Sequence, residues 1–189
     1  MEYYTVSWQK LHDSLFTLAQ TIEKKERSFD LIVAISRGGL TISHILSDFL
    51  KLPITTFTIS TYKDFKQHKV PEITLKIGNK LHHKKIILVD DVSDTGKTFI
   101  RGIEYLKSLG ADHIRTASPF IKPWTKFIPD YYDRQVDKWI IFPFDMRESV
   151  DTITRNLKKE KYSNLKIKNH LKKIGIPSHF INTYLPKHL

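Results

Sequence analysis

The run Ile86-Ile87-Leu88-Val89, followed at once by Asp90 and Asp91, constrains the fold more than any other stretch of the chain. A short segment that is apolar at every position and rich in β-branched residues suits a strand buried on both faces. Strands of that kind belong to parallel sheets with helices covering both sides. A small polar turn comes next, Ser93-Asp94-Thr95-Gly96, and from Lys97 to Leu109 the apolar residues recur near helical spacing. The start of this helix gathers backbone N–H groups and the hydroxyls of Thr95 and Thr98 around an anion-sized pocket. The paired carboxylates add acceptors for hydroxyl groups. One turn therefore offers donors to a phosphate and acceptors to a sugar.

Gly96-Lys97-Thr98 also fits the end of a Walker A loop, G-x-x-x-x-G-K-[ST]. The first glycine of that motif would fall at position 91, which is Asp91. A carboxylate there would face the phosphates it should cradle, so this reading is rejected. A second turn of similar design lies upstream. Asp30 to Ile35 reads as another buried strand, followed by Ser36-Arg37-Gly38-Gly39-Leu40 and a helix through Leu50. Paired glycines let the backbone come close to a ligand, and Arg37 adds a bidentate donor for phosphate oxygens.

The stretch I-I-L-V-D-D-V-S-D-T-G-K-T, Ile86 to Thr98, resembles the 5-phosphoribosyl-1-diphosphate (PRPP) signature of the type I phosphoribosyltransferases. S-R-G-G-L is similar to the diphosphate loop of the xanthine-guanine enzymes in that family, and the likeness covers residues 28–147. The resemblance implies that Asp90 and Asp91 accept hydrogen bonds from the ribose hydroxyls. It implies that Asp94, Thr95, Gly96, Lys97 and Thr98 hold the 5′-phosphate. Ser36, Arg37, Gly38 and Gly39 would hold the diphosphate, with a non-proline cis peptide between Ser36 and Arg37. Mg²⁺ is the implied cofactor, held mostly by substrate oxygens, with Asp90 or Asp91 assisting directly or through water. Thr61-Tyr62, after Ser60, stands where the family often carries a Ser-Tyr flap that closes over the substrates. The polar, basic segment Lys63 to Glu72 reads as the surface loop of that flap, between strands at Ile54 to Ser60 and Ile73 to Ile77.

Further along, Ile121-Lys122-Pro123-Trp124 and the strand K-W-I-I-F, Lys138 to Phe142, look like the base-recognition end of the 6-oxopurine branch. That likeness implies that Lys122 donates to the purine O6 and that Trp139 stacks on the ring. The main chain of Ile140 would read the other ring edge, and Asp94 would take up the proton beside N7 as catalytic base. A lysine aimed at O6 would meet the amino group of adenine, a donor against a donor, and such mismatches discriminate strongly. The resemblance thus implies purine salvage, making a nucleoside 5′-monophosphate and diphosphate from PRPP and hypoxanthine, guanine or xanthine. An orotate or other pyrimidine enzyme fits less well, because of Asp94 and the K-P…W-I pair.

Composition sets the remaining bounds. At 189 residues, with 40% hydrophobic and 27% charged side chains, the chain suits one globular domain with an appendage. The expected division is 1–150 for the phosphoribosyltransferase domain and 151–189 for a basic helical extension. Cysteine is absent, which excludes disulfides and thiolate chemistry. No apolar run approaches the roughly 18 residues of a membrane span, and no signal-peptide pattern opens the chain, so a cytoplasmic enzyme is expected. Nine Lys and Arg against Asp151 and Glu160 place seven of the eleven net positive charges after residue 150. Packing or oligomer contact is the expected use of that tail, and nucleic acid is not an expected partner; dimers or tetramers are usual for the fold. The alternative is a regulator of the same fold that binds nucleotide in the pocket and nucleic acid through the tail.

Locally, Ser7 is the expected N-cap of a helix whose packing face is Trp8, Leu11, Leu15, Leu18, Ala19 and Ile22. Residues 125–137 read as irregular, and Gly110 as the residue that ends the central helix. The fold class is α/β, a mostly parallel sheet with helices on both faces, a small hood from the N-terminal helix and segments after 120, and the helical extension.

Overall fold

The computed structural model describes residues 2–63 and 66–185; the side chains of residues 61–70 lie outside that description. In chain order the elements are β1 (Tyr3–Thr5), α1 (Trp8–Lys25), β2 (Leu31–Ser36), α2 (Gly38–Leu50), β3 (Ile54–Lys63) and β4 (Lys66–Leu75). There follow β5 (Lys85–Val89), β6 (Val92–Ser93), α3 (Lys97–Ser108), β7 (His113–Ile121), β8 (Tyr131–Gln135) and β9 (Trp139–Ile141). Three helices close the chain, α4 (Met146–Lys159), α5 (Asn164–Lys173) and α6 (Ser178–Tyr184). The fold is α/β, as the apolar runs require.

The chain divides into two compact units, one of residues 11–137 and one of residues 1–10 with 138–189. The first holds a seven-stranded sheet in the order β4-β3-β2-β5-β7-β6, with β8 also on β7. All its pairs are parallel except β3 with β4. Ile32 to Ile35 and Ile86 to Val89 are buried at every position, because both faces are covered. Phe99, Tyr105 and Leu106 of α3 pack with Val33, Ile35, Phe57, Ile86 and Leu88 on one face. The alternate residues Ile32, Ala34, Ile87 and Val89 point to the other face, and α2 lies against β2, β5 and β7.

From β2 the chain crosses through α2 to β3 on one side, and from β5 through α3 to β7 on the other. The loops that leave the neighbouring strands β2, β5 and β7 therefore open side by side at the carboxyl ends of the sheet, around the switch point where α/β proteins bind ligands.

The segment 63–72 differs from the expected surface loop, since most of it forms the hairpin of β3 and β4. β4 lies at the sheet edge, where backbone pairing needs no apolar face and where Pro71 is tolerated beside a register shift. Residues 131–135 also pair as a strand, on β7, where Asp130 accepts from the N–H of Thr116 at 2.8 Å and anchors the return. Gly110 has φ 89°, the left-handed turn expected after α3. The N–H of Lys10 donates to Ser7 Oγ at 3.2 Å, which caps α1 as expected.

In the second unit β1 pairs in parallel with β9, and Ile141 joins a core of Met146, Val150, Ile153, Ile167, Leu171, Ile176 and Ile181. Helix α4 runs across residue 150 within this unit, and β1 joins the unit through its pairing with 139–141, a non-local contact that periodicity does not display. Gly175, φ 89°, separates α5 from α6. Among the described residues no helix is long and apolar enough to cross a membrane.

Candidate active site

Strand β5 ends at Val89, and the backbone N–H of Asp90 still reaches Ala117 O on β7 at 3.2 Å. That bond pulls Asp90 into the sheet, and the residue is only 7% exposed. Its Oδ1 accepts from the N–H of Asp91 at 3.0 Å. Burial, and after it the neighbouring Asp91 carboxylate, pushes the Asp90 carboxyl well above the usual carboxylate range. Asp91 is half-buried and faces the other loop. A Cβ built on Gly38 would lie 2.5 Å from the Asp91 Cγ and Oδ2, and one on Gly39 would strike Val89 O. The two glycines thus let the loop after β2 rest directly on the acidic pair. The Ser36–Arg37 peptide bond in this loop is cis, as the resemblance implies.

Two stability predictions arise here. Gly39→Ala should destabilise the protein by about 1–3 kcal/mol, read from urea unfolding, since its methyl must displace strand β5 or helix α2. An unchanged midpoint would mean that the contact can relax. Asp90→Asn should raise the Tm by about 2–4 °C for each kcal/mol of relieved charge burial. The sign follows from the raised carboxyl: the folded protein holds a proton that the unfolded chain releases near pH 4, so wild-type stability falls as pH rises through the folded value. The gap between variant and wild type should therefore widen with rising pH, and a gap independent of pH would contradict the cause given.

The turn after Asp91 leads into α3. Gly96 has φ 82°, and a Cβ there would strike Phe127, so glycine is needed twice over. The first N–H groups of α3 have no partner within the helix and point out of its start. Thr95, Lys97 and the half-buried Thr98 surround that start, with the Lys97 N–H 3.5 Å from Thr95 Oγ1. The arrangement suits a phosphate.

The loop after β7 is fastened to this turn. The Lys122 N–H donates to Ser93 O at 3.0 Å, and the Lys126 N–H to Thr95 O at 3.4 Å. Ser93, which is buried, donates its hydroxyl to Phe127 O at 2.7 Å and meets Thr125 Oγ1 at 2.9 Å. Phe127 stacks on Phe99 of α3 with centroids 5.5 Å apart. Held in this way, Trp124 donates its indole N–H to Asp94 Oδ1 at 2.8 Å, and the Lys122 ammonium lies 5.5 Å from the centre of the indole ring. Burial lowers the Lys122 pKa, while the Asp94 and Asp137 carboxylates work the other way.

The structure therefore brings together, in one unit, Ser36, Arg37, Gly38 and Gly39 from the β2 loop, Asp90 to Thr98 from the β5 loop and Lys122 from the loop after β7. Trp139 and Ile140 stand on β9 of the other unit, where they line a cavity of about 140 Å³ with Tyr3, Asp145 and Ser149. Trp139 is 53% exposed. Thr61 and Tyr62 belong by backbone to β3, and their side chains lie outside the described residues. Ser93, Trp124 and Thr125 were absent from the sequence-based site. Only the placing of an aromatic beside Lys122-Pro123 hinted at Trp124.

Residues 7–150 match the family described as phosphoribosyl transferase domain. The chain belongs to that family. Among solved structures, a purine phosphoribosyltransferase from Pyrococcus horikoshii is 38% identical, with a TM-score of 0.68 over 76% of this chain and 95% of that one. A xanthine-guanine-hypoxanthine phosphoribosyltransferase from Helicobacter pylori is 24% identical, with a TM-score of 0.68 over 83% of this chain and 99% of that one. A hypoxanthine phosphoribosyltransferase from Staphylococcus aureus is 18% identical, with a TM-score of 0.59 over 68% and 73% of the two chains. The last two share the fold. The two loops of this phosphoribosyltransferase that carry the family likeness, 36–39 and 90–98, are the two that meet at the carboxyl ends of β2 and β5.

Proposed function

We propose that this phosphoribosyltransferase joins PRPP to a 6-oxopurine, hypoxanthine, guanine or xanthine, and releases diphosphate with the nucleoside 5′-monophosphate. The observation that carries the reading is the trio of Asp94, Trp124 and Lys122 beside the phosphate turn, a carboxylate and a buried ammonium held on one indole. A phosphate site needs neither group; a purine with an acceptor at C6 and a proton to lose uses both. The 38% identity to a purine enzyme over 76% of the chain supports the purine class.

In this reading the N-terminus of α3, with Thr95 and Thr98, holds the 5′-phosphate, and the ribose hydroxyls donate to Asp90 and Asp91. Arg37 and the backbone of Ser36 to Gly39 hold the diphosphate, which fits the approach that only glycine allows over Asp91. The C1′–O bond to diphosphate breaks as the bond from purine N9 to C1′ forms. The proton on N7 then passes to the carboxylate of Asp94, so the base leaves the step neutral. Lys122 donates to O6 and draws off charge that builds there as the proton departs. Thr61 and Tyr62 are assigned to the flap.

Mg²⁺ fits the donor set, since carboxylate oxygens are hard ligands and Asp91 lies beside the diphosphate loop. Substrate oxygens would hold most of it, with Asp90 or Asp91 assisting directly or through water, and the ion would neutralise the leaving diphosphate.

The test is diphosphate release from PRPP, with and without Mg²⁺, when guanine, hypoxanthine, xanthine or orotate is offered separately. Release with a 6-oxopurine, lost on chelation of the metal, is the expected result. Release with orotate alone would overturn the substrate class. Silence with every base would overturn the enzyme in favour of a nucleotide-binding regulator.

A further inference from the structure

Trp124 has no role in any of the steps above, yet its surroundings are those of a working residue. A tryptophan kept for packing buries its ring, and this one is 55% exposed. Its two polar contacts are both with residues of the proposed base site: the indole N–H with Asp94 Oδ1, and the ring with the Lys122 ammonium. The loop beneath it is clamped to the phosphate turn at Ser93 O, at Ser93 Oγ and at Thr95 O, so the indole sits on a stiff platform.

We propose that Trp124 is a positioning residue, which uses its N–H to fix the Asp94 carboxylate and its ring face to fix the Lys122 ammonium for the incoming purine. This rests on the reading of the site as a 6-oxopurine site. A carboxylate on an exposed turn rotates among several orientations. An N–H bond to Oδ1 selects one and leaves Oδ2 to receive the proton from N7, at the cost of a modest loss of basicity. The ring supplies the second constraint, since an ammonium above an indole is held by attraction to the ring quadrupole. One indole thus touches both groups of the proposed base site, Asp94 through its N–H and Lys122 through its ring face.

Two substitutions separate the functions. Trp124→Phe keeps a ring over Lys122 and removes the donor; it should lower kcat with the 6-oxopurine about tenfold, the worth of one hydrogen bond to a charged group, with the KM for PRPP within about twofold of wild type. Trp124→Leu removes the ring as well and should also raise the KM for the purine. The direct readout is the indole ¹H–¹⁵N resonance of Trp124, which should move upfield in Asp94→Ala when its acceptor is lost.

A Trp124→Phe enzyme with wild-type kcat overturns the proposal, as does one in which the KM for PRPP rises in step with the fall in kcat, the mark of a distorted loop. An indole resonance that stays in place overturns the proposal through its geometry. Wild-type protein that forms no nucleotide from any 6-oxopurine overturns the functional reading and takes this role with it, whereas an active wild type with an indifferent Trp124 overturns this role alone.

Discussion

Asp94→Asn is expected to lower kcat with a 6-oxopurine by about 10²–10³-fold, the range of a lost general base, and to leave the Kd for PRPP within about twofold. The substitution keeps an oxygen that can accept from the Trp124 indole, so the loop after β7 stays in place and the fold is undisturbed. In the proposed reaction, what it removes is the charge that takes up the N7 proton. The 5′-phosphate would be held by the helix start and the hydroxyls of Thr95 and Thr98, which the change does not touch. Steady-state rates and calorimetric titration with PRPP together read the split. Equal losses in both would mean that Asp94 shapes the phosphate turn and has no part in moving the proton.

Lys122→Met is expected to cut kcat/KM for the preferred 6-oxopurine by about 10²-fold or more and to narrow the preference over adenine, because the buried donor that rejects the amino group is gone. The same variant should be more stable than wild type at neutral pH. Burial lowers the lysine's pKa in the folded protein, so below that pKa the fold carries a charge that it holds at a cost. Wild-type stability rises as pH climbs through the lowered folded value toward the unfolded one, and the advantage of methionine should shrink over that interval. Thermal unfolding from neutral to alkaline pH, alongside rates with hypoxanthine and adenine, checks both effects. A variant that keeps its selectivity would remove Lys122 from base recognition.

These two residues show what the chain makes legible. The turn from Ile86 to Thr98 can be read because its chemistry is local: a strand buried on both faces, two acids and a helix start lie within thirteen consecutive residues. The loop at Ser36 to Gly39 is legible for the same reason, and the glycines prove to be required by Asp91 and by Val89 O. Trp124 is different. Its partner Asp94 lies thirty positions away, and nothing in a K-P-W tripeptide displays an indole bond to a carboxylate.

Edge strands and the smaller unit were illegible for related reasons. Strand β4 pairs through its backbone, so Lys66 to Glu72 carries no apolar alternation. Strand β1 is three residues long and gains its place from β9, far along the chain. Helix α4 is absent from the elements expected from the sequence, although Met146, Val150 and Ile153 do recur on one face. Local pattern finds what is buried on both faces or built into one turn; it does not find partners chosen by the fold.

The central claim is transfer of the phosphoribosyl group to a 6-oxopurine, and the most direct measurement is competition. Purified protein receives PRPP, Mg²⁺ and equimolar hypoxanthine, guanine, xanthine and adenine in one vessel, and the products are resolved by mass over time. The account predicts that inosine, guanosine or xanthosine 5′-monophosphate accumulates with an equal amount of diphosphate, while adenosine 5′-monophosphate stays at background. Accumulation of adenosine 5′-monophosphate at a comparable rate would contradict the role given to Lys122 and the assignment of the site.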